Sequence, residues 1–276
     1  MTTRARLKEV NPDNPPLPLD DAARAEIAAL AARQAGAGGL LMRAVNMVGN
    51  GVEDALRRLP KPLRARIDRA AMAALLRAYA LAARSREEGE GWAGRLARLR
   101  GDGAHKALAA VAGAVGGAGG LPTALMELPL TTALIFRAVQ AVAEANGEDP
   151  AAEETRMECL RVFGSGGPDT ADEGVNTAFL GARLSLTGGT VQRLVAVVAP
   201  RFGAVFGQKL AGQAVPLVGA AAGAGTNWAF TDYYVEVAHV HFGLRRLARV
   251  HGEVVYDEFH RVLAVLRPPE PPVQRA

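Results

Sequence analysis

The chain has 276 residues, enough to bury a sizeable core as one large domain or two small ones, with 49% apolar residues but only 5% aromatics. Its formal charge of +4 is unevenly spread: residues 1–106 carry 19 Lys and Arg against 12 Asp and Glu, a balance of +7, and residues 107–276 carry 13 against 16, a balance of −3. Cys159 is the only cysteine, which excludes an internal disulfide and a cysteine-based metal cluster and suits a reducing compartment.

The opening "MTTRARLKEVNPDNPPLPLD" lacks the apolar run of a secretory signal, so a cytoplasmic start is expected. Residues 1–19 read as a flexible, proline-rich arm, and residues 267–276, "RPPEPPVQRA", as a similar tail. Between them lies a single all-α domain, 20–266. Asp20 caps a first helix through "ARAEIAALAARQ", and Gly36, Gly38 and Gly39 end it. A second helix is expected over 40–59, stopped by Pro60 and Pro62, and a third over 62–85. After the charged loop "REEGEGWAG" come two hydrophobic helices within 105–146, bent apart near Leu121 and Pro122 and again near Pro129, with Asn146 and Gly147 as the stop. A short helix starts at Pro150, and another runs from Asp169 or Thr170 to Leu186. Helical pieces over 191–198 and 202–214 precede two last helices, about 227–250 and 252–265. No strand alternation of useful length interrupts this pattern.

Glycine spacing carries the next inference. Gly113 and Gly117, Gly116 and Gly120, and Gly219 and Gly223 are each four apart. Residues at that spacing share a helix face, and bare faces let two backbones approach closely. Each glycine costs about 1 kcal/mol of helix stability relative to Ala, so packing must compensate. The expectation is a glycine-rich hydrophobic helical hairpin at the core. Neither a Walker loop nor a complete G-x-G-x-x-G turn is present, and no nucleotide or other cofactor is expected. The stretches 107–126 and 210–231 lack charge and are long enough to cross a bilayer of roughly 30 Å, but they hold few large apolar side chains. A buried hairpin and a membrane-inserted one both stay open.

Polar residues concentrate after the second glycine stretch. At about 100° per residue, Asp232, Glu236 and His239 fall on one helix face, while Asn227, Tyr234 and His241 fall nearly opposite. His239 and His241 therefore cannot grip one ion, and no metal site is expected. The Asp232, Glu236 and His239 face could still ligate a metal or shuttle protons if another helix supplied a third group, or simply form salt bridges in solvent. Asn227 and His241 read as a buried polar pair, hydrogen-bonded to each other or to backbone. Glu127 and Arg137 interrupt the other hydrophobic block and suggest a buried ion pair with each other, or with Lys209 or Asp232. No G-x-S-x-G elbow or H-E-x-x-H pair occurs, and the acids around Cys159 would raise its pKa.

Three blocks resemble the bacterial EcsC family: "LMRAVNMVGNGVEDALRRLPKPLRARID" from Leu41, "GLPTALMELPLTTALIFRAVQAVAEANGEDPAAEETRMECLRVFGSGG" from Gly120, and "RFGAVFGQKLAGQAVPLVGAAAGAGTNWAFTDYYVEVAHVHFGLRRL" from Arg201. The resemblance covers about residues 20–250. It matches at "LP", "ELP", "TT" and "GED", and at Lys209, Gly219, Gly223, Asn227, Asp232 and His241; it departs where His239 and Val240 stand in place of the usual Arg and Gly. The family takes its name from a protein encoded beside an ABC transporter, which implies an accessory role near a membrane and no defined activity. The expected function is a non-enzymatic accessory protein at the inner face of the cytoplasmic membrane. It would bind lipid or an ABC-transporter subunit through glycine-faced apolar helices, helped by Arg43, Arg57, Arg58, Arg64 and Arg66. A soluble hydrolase using Asp232, Glu236 and His239, or the Glu127, Arg137 and His241 group, is the competing reading, and homo-oligomerisation through the same faces a third. Nucleic acid is not expected, because the basic residues are interleaved with acids and lack aromatic partners.

Overall fold

In the computed structural model, the residues described are 16–37, 78, 101–118, 121–163 and 219–266. Among them the structure is all-α, with no strand. Six helices have both ends defined: α1 (Asp21–Gly36), α2 (Asp102–Ala118), α3 (Leu121–Ala145), α4 (Glu153–Phe163), α5 (Gly219–His251) and α6 (Val254–Leu266). The helices expected over 40–59, 62–85, 170–186, 191–198 and 202–214, and the arm and tail at 1–15 and 267–276, lie outside the described residues, apart from Ala78, which is helical and buried.

Local chemistry sets these boundaries. Asp20 accepts a 2.7 Å hydrogen bond from the Ala23 amide at the start of α1, one of the donors that a helix start leaves unpaired. Ala23, Ile27, Leu30, Ala31 and Gln34 then form its buried stripe at the three-and-four spacing of an amphipathic helix. At the end of α3, Gly147 takes φ +77°, a left-handed conformation that a side chain would strain. Its amide bonds to the Glu144 carbonyl at 2.9 Å, and the Glu148 amide reaches back to the Ala143 carbonyl at 3.1 Å, so the chain turns tightly and holds Glu148 against α5. Residues 16–19, at the end of the expected flexible arm, are tied down: the Leu17 amide donates to the Val250 carbonyl at 3.0 Å, and Leu19 packs on the α1, α5 and α6 core.

Two boundaries differ from expectation. Pro129 lies inside α3 rather than bending it apart, although it removes one backbone donor; the Ala133–Ala143 part of that helix buries most of its apolar side chains, which holds it straight enough to continue. The last long helix begins at Gly219, not near residue 227. Glycine lowers helix propensity locally, but the contacts of that segment with α2 override it.

Helix α5, with 33 residues and so about 50 Å long, is the axis of the assembly. Going up α2, Asp102, Lys106, Ala109 and Gly113 meet His239, Asp232, Asn227 and Gly223 in turn, so α2 runs antiparallel to α5. Helix α3 runs parallel to it, because Thr131 meets Asn227 and Asn146 meets Arg249. The hairpin is thus α2–α3, and the uncharged run 107–126 is divided between its two arms. Among the described residues, no helix is long and apolar enough to cross a membrane.

Two cores flank the axis. Phe136, Phe163, Tyr234 and Phe242 anchor the cluster between α3, α4 and α5, with Phe163 stacked on Phe136 at 5.3 Å and tilted against Tyr234 at 4.8 Å. Ile27, Leu30, Val240, Leu244 and Phe259 anchor the one between α1, α5 and α6.

Candidate functional site

The polar residues singled out in the sequence divide among three joints along α5. The first is a close backbone approach. An added Cβ at Gly113 would overlap the Gly223 carbonyl oxygen and lie 2.6 Å from Asn227 Nδ2, so only glycine admits this spacing. Asn227 Nδ2 donates to the Ala109 carbonyl at 2.8 Å and to Thr131 Oγ1 at 3.0 Å. One buried amide therefore links α5 to α2 and α3. Gly116 and Gly117 are also buried on α2. Gly219 opens α5, while Gly120 and Lys209 lie outside the described residues, as does the side chain of Glu127 within α3.

The second joint is the face carrying Asp232, Glu236 and His239. Its members part company. Asp232 pairs with Lys106 of α2 at 2.6 Å, Glu236 with Arg33 of α1 at 3.0 Å, and His239 Nε2 with Asp102 of α2 at 2.9 Å. Nearby, His105 is buried with Nδ1 at 3.1 Å from the Gly101 carbonyl. Burial lowers its pKa; the Gly101 hydrogen bond and Asp102 oppose that, while Arg137 adds to it. Arg137 itself donates to Gln140 Oε1 at 3.2 Å. Among the described residues, no group of three or more His, Cys, Asp and Glu side chains could hold a metal ion.

The third joint went unrecognised in the sequence. His241 does not pair with Asn227: the two are 14 positions apart on one helix, about 21 Å along its axis. Instead, His241 Nε2 lies 2.9 Å from Glu158 Oε2 of α4. Glu158 also contacts Arg161 and, at 3.0 Å, Arg245. Arg245 continues to Glu148 at 3.1 Å and Glu154 at 3.4 Å, and Arg249 reaches Glu148 at 2.7 Å. Three carboxylates thus face three guanidinium groups, leaving the seam balanced without His241. Burial alone would push the Glu158 carboxyl up, but the His241 hydrogen bond and charge, then Arg245 and Arg161, outweigh it and hold the pKa at about 2. Glu148 is likewise held below its usual range by Arg245 and Arg249, against the effect of burial. The four-residue spacing of Glu154 with Glu158, and of His241 with Arg245 and Arg249, was the available signal.

These joints define an all-α protein whose conspicuous polar side chains tie helices to one another. The chain belongs to the EcsC protein family, which it matches over residues 94–247. That range takes in the two long blocks and excludes the helix pair from Leu41. No curated protein and no solved structure matches the chain.

Proposed function

We propose that the protein is a non-enzymatic accessory protein of the cytoplasmic membrane face that binds a lipid surface. The observation that carries this reading is the outward side of α2. Its glycine face is turned inward on α5, so a partner would meet the opposite face rather than the glycines, and there Val111 and Val115 stand 60% and 71% exposed. The basic balance of residues 1–106 supports attraction to anionic headgroups, each well-placed cation contributing about 1 kcal/mol.

The hydrolase reading is weakened because Asp232, Glu236, His239 and His241 each engage a separate charged partner, with no shared point on which a reacting atom could be held. Co-sedimentation with vesicles containing phosphatidylglycerol tests the proposal. Binding at low salt that weakens as salt rises is expected; folded protein left wholly in the supernatant at low salt would count decisively against it. Retention on native membranes without binding to protein-free vesicles would instead identify a membrane protein, such as a transporter subunit, as the partner.

A further inference from the structure

The charges of α2, α3 and α5 are segregated along their length. Residues 107–118 of α2 and 219–231 of α5 carry none, and residues 121–136 of α3 carry only Glu127. These stretches lie side by side, as the Gly113 to Gly223 approach and the bonds from Asn227 to Ala109 and Thr131 require. The same register gives the level at which charge begins. Lys106 is paired with Asp232. Because α3 runs parallel to α5 with Thr131 opposite Asn227, Arg137 stands within about one residue of the height of Asp232, or some 1.5 Å. Glu127 apart, the three helices thus meet their first charges in one plane.

Beyond that plane, the uncharged lengths of α2 and α5, 12 and 13 residues, extend about 18 and 20 Å. The described helices are not long and apolar enough to cross a hydrocarbon layer of roughly 30 Å, and these lengths reach the depth of a single leaflet, about 15 Å. Among the described residues, Val111, Val115, Leu130 and Trp228 are the large apolar side chains exposed in this region. Trp228 is one turn from Asp232, where an interfacial tryptophan belongs.

We infer that this three-helix end enters one leaflet of the membrane as a unit, down to the plane of Lys106, Arg137 and Asp232, without crossing. The inference rests on the proposed lipid binding and adds its mode and depth. Glu127 is the one ionisable residue of these stretches and opposes insertion, so entry depends on the attraction of anionic headgroups.

The chain has two tryptophans, so Trp92→Phe leaves Trp228 as the sole reporter. Full-length protein is mixed with phosphatidylglycerol-containing vesicles whose acyl chains are brominated at shallow or deep positions. A blue shift and stronger quenching by shallow bromines are expected. Val111→Asp with Val115→Asp should lower vesicle partitioning tenfold or more with helicity unchanged, whereas Val265→Asp, at a site 74% exposed on α6, should leave it unaltered. Bound protein with unquenched Trp228, or a double variant that binds like the parent, overturns insertion while leaving surface binding intact. Absence of binding by the parent protein removes both.

Discussion

The two halves of α5 are held by different chemistry. From Gly219 to Thr231 the helix has no charge and is fixed by backbone contact and one amide; from Asp232 onward ion pairs tie it to α1, α2, α4 and the turn after α3. Van der Waals contact and neutral hydrogen bonds respond little to salt or pH, whereas buried ion pairs respond to both their partners and protonation. The uncharged half thus depends on how closely backbones approach, and the charged half on the pairing of opposite charges.

The largest expected effect breaks the charged half. Glu158 is buried against His241, Arg245 and Arg161, so Glu158→Gln leaves the Arg245 and Arg161 guanidinium groups facing an uncharged amide. Removing one partner from a buried pair costs about 3–5 kcal/mol, and urea titration should show a loss of that size. The pH dependence has a definite sign. The folded-state pKa of about 2 lies below the ordinary 4.5, so the unfolded chain binds the proton more readily. The stability that Glu158 contributes is complete above about pH 4.5 and disappears as pH falls towards 2. Equilibrium unfolding across that window should be steep in the parent protein and shallower in the variant. An equal slope in both would place the acid sensitivity elsewhere.

The next effect breaks the uncharged half. Gly113→Ala would gain about 1 kcal/mol of helix propensity. Against this, its methyl group would collide with the Gly223 carbonyl and Asn227, and neither backbone nor a doubly bonded amide can turn aside. Overpacking of this kind costs about 1–3 kcal/mol, with loss of the Asn227 bonds added, so a net fall of about 2 kcal/mol is expected in urea. The loss should hardly change with pH between 3 and 7, in contrast to the loss at Glu158. A neutral result would mean that α2 and α5 can separate freely.

How far the sequence revealed these joints depends on what a helical period encodes. It gives a face and not a depth. Asp232, Glu236 and His239 do share a face, and Asn227 is a buried polar residue, as periodicity indicates; but His241, on a similar bearing, sits about 21 Å further along and meets another helix. The α1 boundary was legible because Asp20 and the Ile27, Leu30, Ala31 stripe are local signals. The α5 start was not, because the glycines from Gly219 onward lower the helix propensity of that stretch, and it packs on residues more than 100 positions earlier. Glu158 escaped notice for the same reason: its partner His241 is 83 positions away, and the four-residue spacing of Glu154 and Glu158 in α4 is equally that of a solvated helix face.

The smallest effect sharpens the comparison by placing the same substitution at a second close approach. At Gly243, an added Cβ would lie 3.0 Å from both terminal carbons of Leu30 on α1. The obstacle is the end of a branched side chain, which can rotate by a few degrees at a cost of order 0.5–1.5 kcal/mol, and the gain in helix propensity is again about 1 kcal/mol. The two nearly cancel, so Gly243→Ala should shift stability by less than about 0.5 kcal/mol in either direction, measured in the same urea titrations. If it cost as much as Gly113→Ala, the α1 contact would be as rigid as the α2 contact. The special character of the uncharged half would then lie in its lack of charge alone, not in how closely its backbones approach.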